Sequence, residues 1–386
     1  MAKHALLSAS GAHRWLECTP SAQLELQFPQ STSEYAEEGT AAHELCELTA
    51  RYWLGEISEA EYENQRDELA KGKYYNAEMQ ECANDYAKFV AEKTAAARET
   101  CEDAFTALEV RVDFSKYVKD GFGTGDCIIV SDNVLEIIDF KYGKGVRVEA
   151  AGNPQMKLYA LGAYLEYNTL FDIDSVRMTI FQPRLSGVQS SDEITVKELL
   201  EWAEKHVKPR AKLAYKGEGE FAPSEEVCKF CRAKAQCKAR ADKNLKLFDE
   251  APDVLLLTPE DAGKILEQAG DIQSWLADLE SLVSSTLLAG QPVEGWKMVE
   301  GRSNRRFADE LKVVDAMKAA GYDESLLYER KLITLTQMEK DFGKKAVAET
   351  LGELIVKPQG KPTLALAKDK RPEFRPEEQL LAEFDK

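Results

Sequence analysis

The chain has 386 residues, enough for two or three domains, and its 44% hydrophobic and 31% charged residues are typical of a globular protein. A net charge of −18 excludes a uniformly basic nucleic-acid-binding surface, although it leaves room for a local basic channel. No apolar run approaches the roughly 20 residues that cross a bilayer, and the first residues lack an apolar signal core, so we expect a cytoplasmic protein. In that reducing compartment, any of the eight cysteines that group together favour metal or cluster ligation over disulfides.

Helical patterns fill the first hundred residues. Residues 8–26 predict a short helix with a serine cap at position 8 or 10 that ends near Cys18. The next helix is predicted to begin at Thr40 as its cap, with His43 in the first turn. A single histidine on a helix is more often packed or exposed than a ligand, so the helix alone leaves its role open. Residues 56–100 predict two further helices, broken near position 72.

The clearest local pattern lies in residues 121–143. Two β-branched runs, Cys127–Val130 and Val134–Ile138, flank a polar turn, which predicts a β-hairpin centred on Asn133. The preceding segment, 105–114, alternates like a strand. Glu109 on that segment could face the charged end of the hairpin or the solvent, and the pattern allows both.

Three charged side chains lie at the ends of the predicted hairpin strands. Pairing about the turn would bring Asp126 close to Asp139, and Lys141 shares a strand face with Asp139 while Phe140 points the other way. Two carboxylates and a lysine at a strand end suit a hard divalent cation and an activated water. A surface hairpin with solvated charges fits these residues equally well.

A helix and a strand follow the hairpin. An Asn-Pro pair before Gln155 opens the helix, and Tyr159 shares a helix face with Gln155 because they are four residues apart. Residues 175–182 predict another strand and residues 193–216 a helix that becomes basic. This order of helices, three strands, helix, strand and helix predicts an α/β core with a mixed sheet.

Three cysteines then occur within ten residues, at Cys228, Cys231 and Cys237. This spacing favours a metal or cluster over three unrelated buried thiols, but three ligands are one short of a tetrahedral site. Cys18, beside a Pro-terminated turn, is the best candidate for the fourth ligand. The intervening basic residues include Lys229, Arg232 and Lys234.

The composition changes near residue 250. Residues 258–289 form a long amphipathic pattern, and further helices are predicted to about residue 350. Arg302, Arg305 and Arg306 make a second basic patch, which suits phosphate contacts or a solvated loop. We therefore predict three parts: a first domain at 1–248, a mostly helical accessory domain at 249–367, and a flexible tail at 368–386.

The ordered motifs resemble a known group of nucleases. They are GTAAH with His43, GTGD with Asp126, IIDFKYG with Asp139 and Lys141, and Gln155-x3-Tyr159. This series is similar to the RecB-like branch of the PD-(D/E)xK nucleases. The four-cysteine frame resembles the iron–sulfur version of that branch, found in AddB-type nucleases and in a CRISPR-associated exonuclease. These motifs cover about residues 5–245, and the whole chain also resembles a phage and prophage family long catalogued as of unknown function.

The resemblance implies a fold and an activity. The fold would be α/β, with a PD-(D/E)xK restriction-endonuclease-like core (a mixed central sheet flanked by helices), an iron–sulfur staple, and an extra, mostly helical C-terminal domain. The activity would be that of a metal-dependent deoxyribonuclease, an exonuclease acting in phage DNA recombination or replication within a bacterial host cell. DNA is then the substrate, and a phage single-strand annealing or single-strand binding protein is the expected partner. A homo-oligomer would suit processive cleavage.

The resemblance also implies roles for individual residues. His43, Asp126, Asp139 and the Phe140 carbonyl would bind Mg²⁺ or Mn²⁺, and Lys141 would orient or deprotonate the attacking water. Gln155 and Tyr159 would position the metal ligands or the DNA. The remaining implied sites are a 4Fe–4S cluster on Cys18, Cys228, Cys231 and Cys237, and DNA phosphate contacts by Lys229, Arg232, Lys234, Arg302, Arg305 and Arg306.

Two alternatives belong to other classes of protein. One is a catalytically idle DNA-binding or assembly factor that keeps the fold and the cluster. The other has zinc on the four cysteines as a structural knot in a protein that is not a nuclease.

Overall fold

Five β-strands form one mixed sheet at the centre of the protein. The computed structural model describes residues 5–29, 33–145, 147–185, 188–249, 258–299, 309–328 and 331–356. The strands lie in the sheet in chain order. They are β1 Phe105–Asp113, β2 Phe122–Val130, β3 Asn133–Phe140, β4 Ile173–Gln182 and β5 Val188–Thr195.

The strand directions make the sheet mixed. β1, β2 and β3 form an antiparallel meander, and β5 is antiparallel to β4. β4 runs parallel to β3, and the connection between them contains helix α6, Pro154–Tyr167. A parallel pair needs such a crossover because the chain leaves the first strand at one end of the sheet and must enter the second strand at the opposite end. The predicted α/β core with a mixed sheet is confirmed.

The central hairpin forms as the sequence predicts. Cys127 pairs with Ile138 and Val130 with Leu135 across β2 and β3. Asn133 has a φ of 68°, a left-handed conformation that Asn tolerates better than most residues, and it allows the tight reversal. This register fixes the positions of all side chains at the far end of the hairpin.

The starts of two N-terminal helices differ from the prediction. The first helix begins at Ala12, with Gly11 as its N-cap and no side-chain cap, so the predicted serine cap at position 8 or 10 is wrong, whereas its end just before Cys18 agrees with the prediction. The helix carrying His43 begins at Glu34, and the Ser33 hydroxyl caps it by accepting from the Ala36 N–H at 3.2 Å. Thr40 therefore lies inside the helix, where its hydroxyl donates to the Ala36 carbonyl. The expected break near position 72 is confirmed. The helices are α1 Ala12–Glu17, α2 Ser21–Leu24, α3 Glu34–Trp53, α4 Glu59–Leu69 and α5 Ala77–Thr100.

The predicted helix at 193–216 is wrong at its start. Residues 193–195 belong to β5, whose polar sequence pairs along the sheet edge with β4. Thr195 then forms a capping box with Glu198 and starts the helix. From there the chain is continuously helical: α7 Val196–Trp202, a π-helical turn Ala203–Val207 and α8 Lys208–Lys216.

Helices cover both faces of the sheet. Ile128 and Ile137 point to one face and pack in a core with α1, α6 and α7. Ile129 and Ile138 point to the other face and pack against α3 and α5. Because strand side chains alternate, the near-continuous apolar runs of β2 and β3 supply both cores.

One polar contact joins two of the C-terminal helices to each other, and another joins the last of them to α5. Arg240, which is 1% exposed, forms ion pairs with Asp271 and Asp278. The N-terminus of the last helix rests on Glu81 of α5. These helices are α9 Glu225–Cys228, α10 Lys238–Asp249, α11 Pro259–Leu288, α12 Glu310–Ala319, α13 Leu335–Phe342 and α14 Lys344–Leu351.

The predicted domain boundaries at residues 248 and 367 stay predictions. The proposed tail, 368–386, lies outside the described residues. Within the part of the chain that the structure describes, we find no helix long and apolar enough to cross a membrane.

Candidate metal centre

Two carboxylates meet at the open end of the hairpin. Because Cys127 pairs with Ile138, the preceding Asp126 and the following Asp139 are neighbours across the two strands. The Phe140 N–H donates to Asp126 Oδ2 at 2.7 Å and fixes that side chain. Asp139 is 2% exposed, so it has lost almost all contact with bulk water. The sequence prediction that these two residues lie together is confirmed.

Lys141 adds a positive charge to this pair. Its Nζ lies 2.8 Å from Asp139 Oδ2, although that buried oxygen has no well-aligned hydrogen bond among the described residues. Burial raises the pKa of Asp139 and the nearby Asp126 adds to this, while Lys141 opposes it. Burial lowers the pKa of Lys141, but Asp139 and Asp126 outweigh burial, so its pKa is raised. The lysine and the two acids therefore form one interacting group of charges.

Helix α6 brings a glutamine to the same site. Asn153 caps this helix and Pro154 occupies its first position, which sets Gln155 in the first turn. Gln155 Nε2 donates to Asp139 Oδ1 at 3.1 Å and to the Tyr159 hydroxyl at 3.2 Å. The predicted shared face of Gln155 and Tyr159 thus points at Asp139.

Helix α3 approaches from the other face of the sheet and supplies His43. Its Nδ1 lies 3.5 Å from Asp126 Oδ1, and its ring packs edge-on against Phe140, with centroids 5.3 Å apart. Burial lowers the pKa of His43, but the hydrogen bond and charge of Asp126 outweigh it, so the net pKa is raised. The structure therefore brings His43 into the predicted site.

Glu109 is the member whose position the sequence left open. Its φ is 51°, a left-handed conformation in the middle of β1. Leu108 packs with the α3–α5 core, whereas Val110 and Val112, an even number of residues away, pack on the opposite face. The unusual conformation thus reverses the alternation of β1 at Glu109, opposite Asp126 in the register.

Glu109 lies beside His43 and Asp126. One ligand atom from each of these three residues lies within 4.8 Å of the others. Burial raises the pKa of Glu109 to about 7, and the charge of Asp126 adds to the effect. Leu108 and Val110 point to opposite faces of the sheet, so alternation along β1 leaves the direction of Glu109 ambiguous and the sequence pattern does not locate this side chain.

The donor set fits a hard divalent cation. Asp126, Asp139 and Glu109 offer carboxylate oxygens, and Asp139 Oδ2 is a buried oxygen without an aligned hydrogen bond. Mg²⁺ and Mn²⁺ prefer such oxygen ligands. The carbonyl of Phe140 stays a predicted ligand.

The four predicted cluster cysteines line one small cavity. Its lining contains Cys18, Cys228, Cys231 and Cys237, together with Arg14, Ser21, Lys234 and apolar side chains. All four are free thiols, and burial raises the pKa of Cys18, Cys228 and Cys231. The fold therefore joins residues more than two hundred positions apart in the sequence, as a shared cluster requires.

Hydrogen bonds hold the two segments around this cavity together. The Thr19 hydroxyl donates to the Glu218 carbonyl at 2.7 Å. Glu25 accepts from Arg14 at 2.9 Å and from the backbone N–H of Arg232 at 2.8 Å. The N-terminal segment and residues 215–232 thus contact each other through protein groups as well as around the cavity.

The predicted DNA-contacting residues near the cysteines have protein neighbours. Lys229 lies over the Phe230 ring, Arg232 donates to the Phe28 carbonyl, and Lys234 pairs with Asp278 at 2.8 Å. Their contact with DNA stays a prediction. Arg302, Arg305 and Arg306 lie outside the described residues.

Fold and site together define an α/β protein whose mixed sheet carries a centre of carboxylates, lysine and imidazole at the end of a hairpin. Residues 4–372 match the family described as "Protein of unknown function (DUF2800)". Since the match covers nearly the whole chain, the protein belongs to this family.

Comparison with solved structures finds proteins described as exonucleases. A candidate exonuclease from Eubacterium rectale is 14% identical, with 66% of this chain and 90% of that chain covered and a TM-score of 0.30. An alkaline exonuclease from Laribacter hongkongensis is also 14% identical, with 53% of this chain and 91% of that chain covered and a TM-score of 0.22. At these scores the likeness carries no conclusion about the chemistry of this chain.

Proposed function

We propose that this protein is a divalent-metal-dependent DNA nuclease of the RecB-like PD-(D/E)xK type. The observation that carries the proposal is the meeting of Asp126, Asp139 and Lys141 at one end of the hairpin, with Lys141 Nζ 2.8 Å from Asp139. The order of the motifs, from His43 to Tyr159, supports it. The five-stranded mixed sheet flanked by helices suits the restriction-endonuclease-like core that this type of nuclease has.

Asp126 and Asp139 would hold Mg²⁺ or Mn²⁺, with His43 and the Phe140 carbonyl completing the ligand set. When bound, such a cation lowers the pKa of the attacking water and stabilises the charge that develops on the phosphate. The Phe140 N–H fixes the orientation of Asp126, and Gln155 fixes that of Asp139. The ligands are therefore oriented by hydrogen bonds before substrate arrives, which limits the reorganisation that the reaction requires.

Lys141 is proposed to act on the attacking water and the phosphate. Lys141 lies next to the carboxylate that would hold the cation. Its ammonium would orient the water and neutralise phosphate charge, and only its neutral amine form could deprotonate the water. Tyr159 contacts Gln155 and would position either that side chain or the DNA backbone. The product is a hydrolysed phosphodiester bond.

Cys18, Cys228, Cys231 and Cys237 are proposed to hold a 4Fe–4S cluster. The four cysteines line one cavity, and the resemblance of their spacing to the iron–sulfur branch of these nucleases favours this cluster over zinc. Its role would be structural, joining the N-terminal helix to the segment after residue 228.

The biological setting follows from the resemblance. An exonuclease of this kind would serve recombination or replication of phage or prophage DNA in the cytoplasm of a bacterial host. A single-strand annealing or single-strand binding protein would be its partner, and a homo-oligomer would suit processive action. Lys229, Arg232, Lys234, Arg302, Arg305 and Arg306 would contact DNA phosphates.

The test of the activity is digestion of end-labelled linear DNA with Mg²⁺, with Mn²⁺ or with EDTA. Wild-type protein should release labelled products only with a divalent cation, and Asp139→Ala should release none. Asp174→Asn, which removes an exposed carboxylate from the neighbouring strand β4, is the matched control and should cleave like wild type. Wild-type protein that binds DNA without cleaving it under any of these conditions would favour the catalytically idle DNA-binding or assembly factor.

The identity of the cysteine-bound group has a separate test. Protein purified without oxygen should be brown, with a broad absorbance band near ~400 nm. Iron and sulfide should be found in comparable amounts, and Cys231→Ser should remove both. A colourless protein containing zinc would reject the iron–sulfur proposal without affecting the nuclease proposal.

A further inference from the structure

We propose that Arg111 and Thr124 bind a phosphate of the DNA strand beside the phosphodiester that is cleaved. Both residues lie on the β1–β2 ribbon, which consists of residues 110–113 of β1 and their partners 122–125 of β2. The substrate in this proposal rests on the proposed nuclease function. The binding surface itself rests on the side chains of the ribbon.

The strand register places Arg111 and Thr124 opposite each other on one face of the ribbon. The neighbours of Arg111 are Val110 and Val112, which pack on the face that α1 and α6 cover. Gly123, the neighbour of Thr124, faces α6 as well, since a Cβ on it would meet a tyrosine of that helix. Because strand side chains alternate, Arg111 and Thr124 both point to the opposite face, the one from which α3 approaches.

This face is open on one side of the candidate metal centre. Cys127 is buried against α3 and α5, whereas Arg111 and Thr124 are exposed. Arg111 follows Glu109, a member of the centre, by two residues, which is roughly 7 Å along a strand. A DNA strand that leaves the centre across the exposed face therefore brings a neighbouring phosphate to Arg111.

The Arg111 guanidinium has no anionic partner among the described residues. The other arginines in the described ranges each donate a hydrogen bond or form an ion pair. Asp113, which shares the strand face of Arg111, accepts instead from the Ser115 N–H at 2.7 Å. The hydroxyl of Thr124 likewise forms no hydrogen bond within the part of the chain that the structure describes. Both side chains are therefore free to bind an external anion.

Phe122 holds the guanidinium in place for such a contact. Arg111 Cζ lies 4.0 Å from the centroid of the Phe122 ring. Stacking on a ring leaves the N–H groups at the edge of the planar guanidinium free to donate to two oxygens of one phosphate. The hydroxyl of Thr124, directly across the ribbon, can donate a further hydrogen bond. The arrangement suits a phosphate oxyanion and reads no base, so the contact is independent of DNA sequence.

The test is DNA binding in EDTA over a series of salt concentrations, measured by fluorescence anisotropy with a labelled linear duplex that ends in a single-stranded extension. Arg111→Gln in the full-length protein should bind about tenfold more weakly than wild type. The slope of log affinity against log salt should fall by about one, because one phosphate contact is lost. Arg66→Gln is the matched control and should bind like wild type, since Arg66 also lies over an aromatic ring but is paired with Asp67.

Two further comparisons define the contact. Arg111→Lys keeps the charge and should restore the wild-type salt slope. The effect of Arg111→Gln should be the same on DNA with and without a terminal phosphate, because the contact is to an internal one. A wild-type salt slope for Arg111→Gln, or a loss seen only with a terminal phosphate, would overturn the inference.

DNA cleavage with Mn²⁺, measured on the same proteins, separates this inference from the proposed function. Wild-type protein that shows the Arg111-dependent salt slope but cleaves no DNA would reject the nuclease and retain the phosphate contact. Wild-type protein that cleaves, with Arg111→Gln unchanged in both KM and salt slope, would reject the contact and retain the nuclease.

Discussion

At the scale of single residues, the geometry of the candidate metal centre depends on strand register and on one residue with an unusual backbone conformation, more than on the presence of acidic side chains, which are common. Asp126, Asp139 and Lys141 could be located from strand alternation and one turn, because hairpin register follows from the turn. Glu109 could not be located in this way, because a single residue in the left-handed conformation changes the face of the sheet to which the side chains beyond it point. An alternating pattern contains no sign of that reversal.

Replacing Glu109 by Gly should give a more stable protein than replacing it by Ala. A left-handed residue with a Cβ costs about 1–2 kcal/mol, of which Gly recovers part after its greater freedom in the unfolded chain is counted. We expect Glu109→Gly to unfold with a free energy about 1 kcal/mol higher than Glu109→Ala in EDTA, measured by urea denaturation. Both variants lack the carboxylate, so the comparison isolates the backbone. An equal or lower value for the Gly variant would show that position 109 is unstrained.

Gly123 tests the contact that supports Tyr159. A Cβ at this position would lie 2.6 Å from Tyr159 Cε1, so Gly123→Ala must displace the tyrosine and, through it, Gln155. We expect a loss of stability of about 1–3 kcal/mol and reduced DNA cleavage. Gly143→Ala is the control, because its Cβ would meet nothing within 4 Å. Normal cleavage by Gly123→Ala would mean that Tyr159 does not position Gln155.

At the scale of elements, the sequence predicted the parts whose apolar pattern is strong. The hairpin, α6 with its Asn153 cap and the long helix α11 are confirmed because each has a clear period and a capping or turn residue. β5 was missed, since an edge strand with polar residues on its exposed face lacks that pattern. The start of α3 was placed too late because Thr40 is a good cap by composition, yet Ser33 already caps the helix.

The packing of α10 against α11 depends on Arg240. Its guanidinium pairs with Asp271 at 3.0 Å and with Asp278 at 2.7 Å, and it is 1% exposed. Arg240→Met should leave these acids short of a buried partner and cost about 3 kcal/mol, with faster amide hydrogen exchange in α11. Lys238→Met, which removes an exposed ion pair from the same helix, should cost under about 1 kcal/mol. Equal effects of the two variants would contradict a special role for Arg240.

At the scale of the whole molecule, the last helices contact the α/β core through α5. Glu81 accepts hydrogen bonds from the N–H groups of Lys344 at 2.6 Å and Lys345 at 2.9 Å, and Lys345 also pairs with Asp85. A carboxylate in this position caps α14 and complements the positive end of its dipole. The contact joins residues more than 250 positions apart, so sequence patterns could not reveal it.

Removing this cap should loosen α13 and α14 from the core. Glu81→Ala should cost about 1 kcal/mol and speed limited proteolysis within residues 331–356, while α5 and the sheet stay intact. Glu92→Ala, an exposed acid on the same helix, serves as the control and should leave the cleavage rate unchanged. Identical proteolysis of both variants and wild type would show that Glu81 does not hold the C-terminal helices.

The most direct measurement of the proposed activity is metal-dependent cleavage of linear DNA by Lys141→Ala. Lys141 lies next to the carboxylate proposed to hold the cation and is not a ligand of it, so its loss should abolish cleavage without unfolding the protein. Circular dichroism and the absorbance of the cysteine-bound group should match wild type. Cleavage by Lys141→Ala at the wild-type rate, with the same dependence on Mg²⁺ or Mn²⁺, would contradict the assignment of this hairpin as a nuclease site.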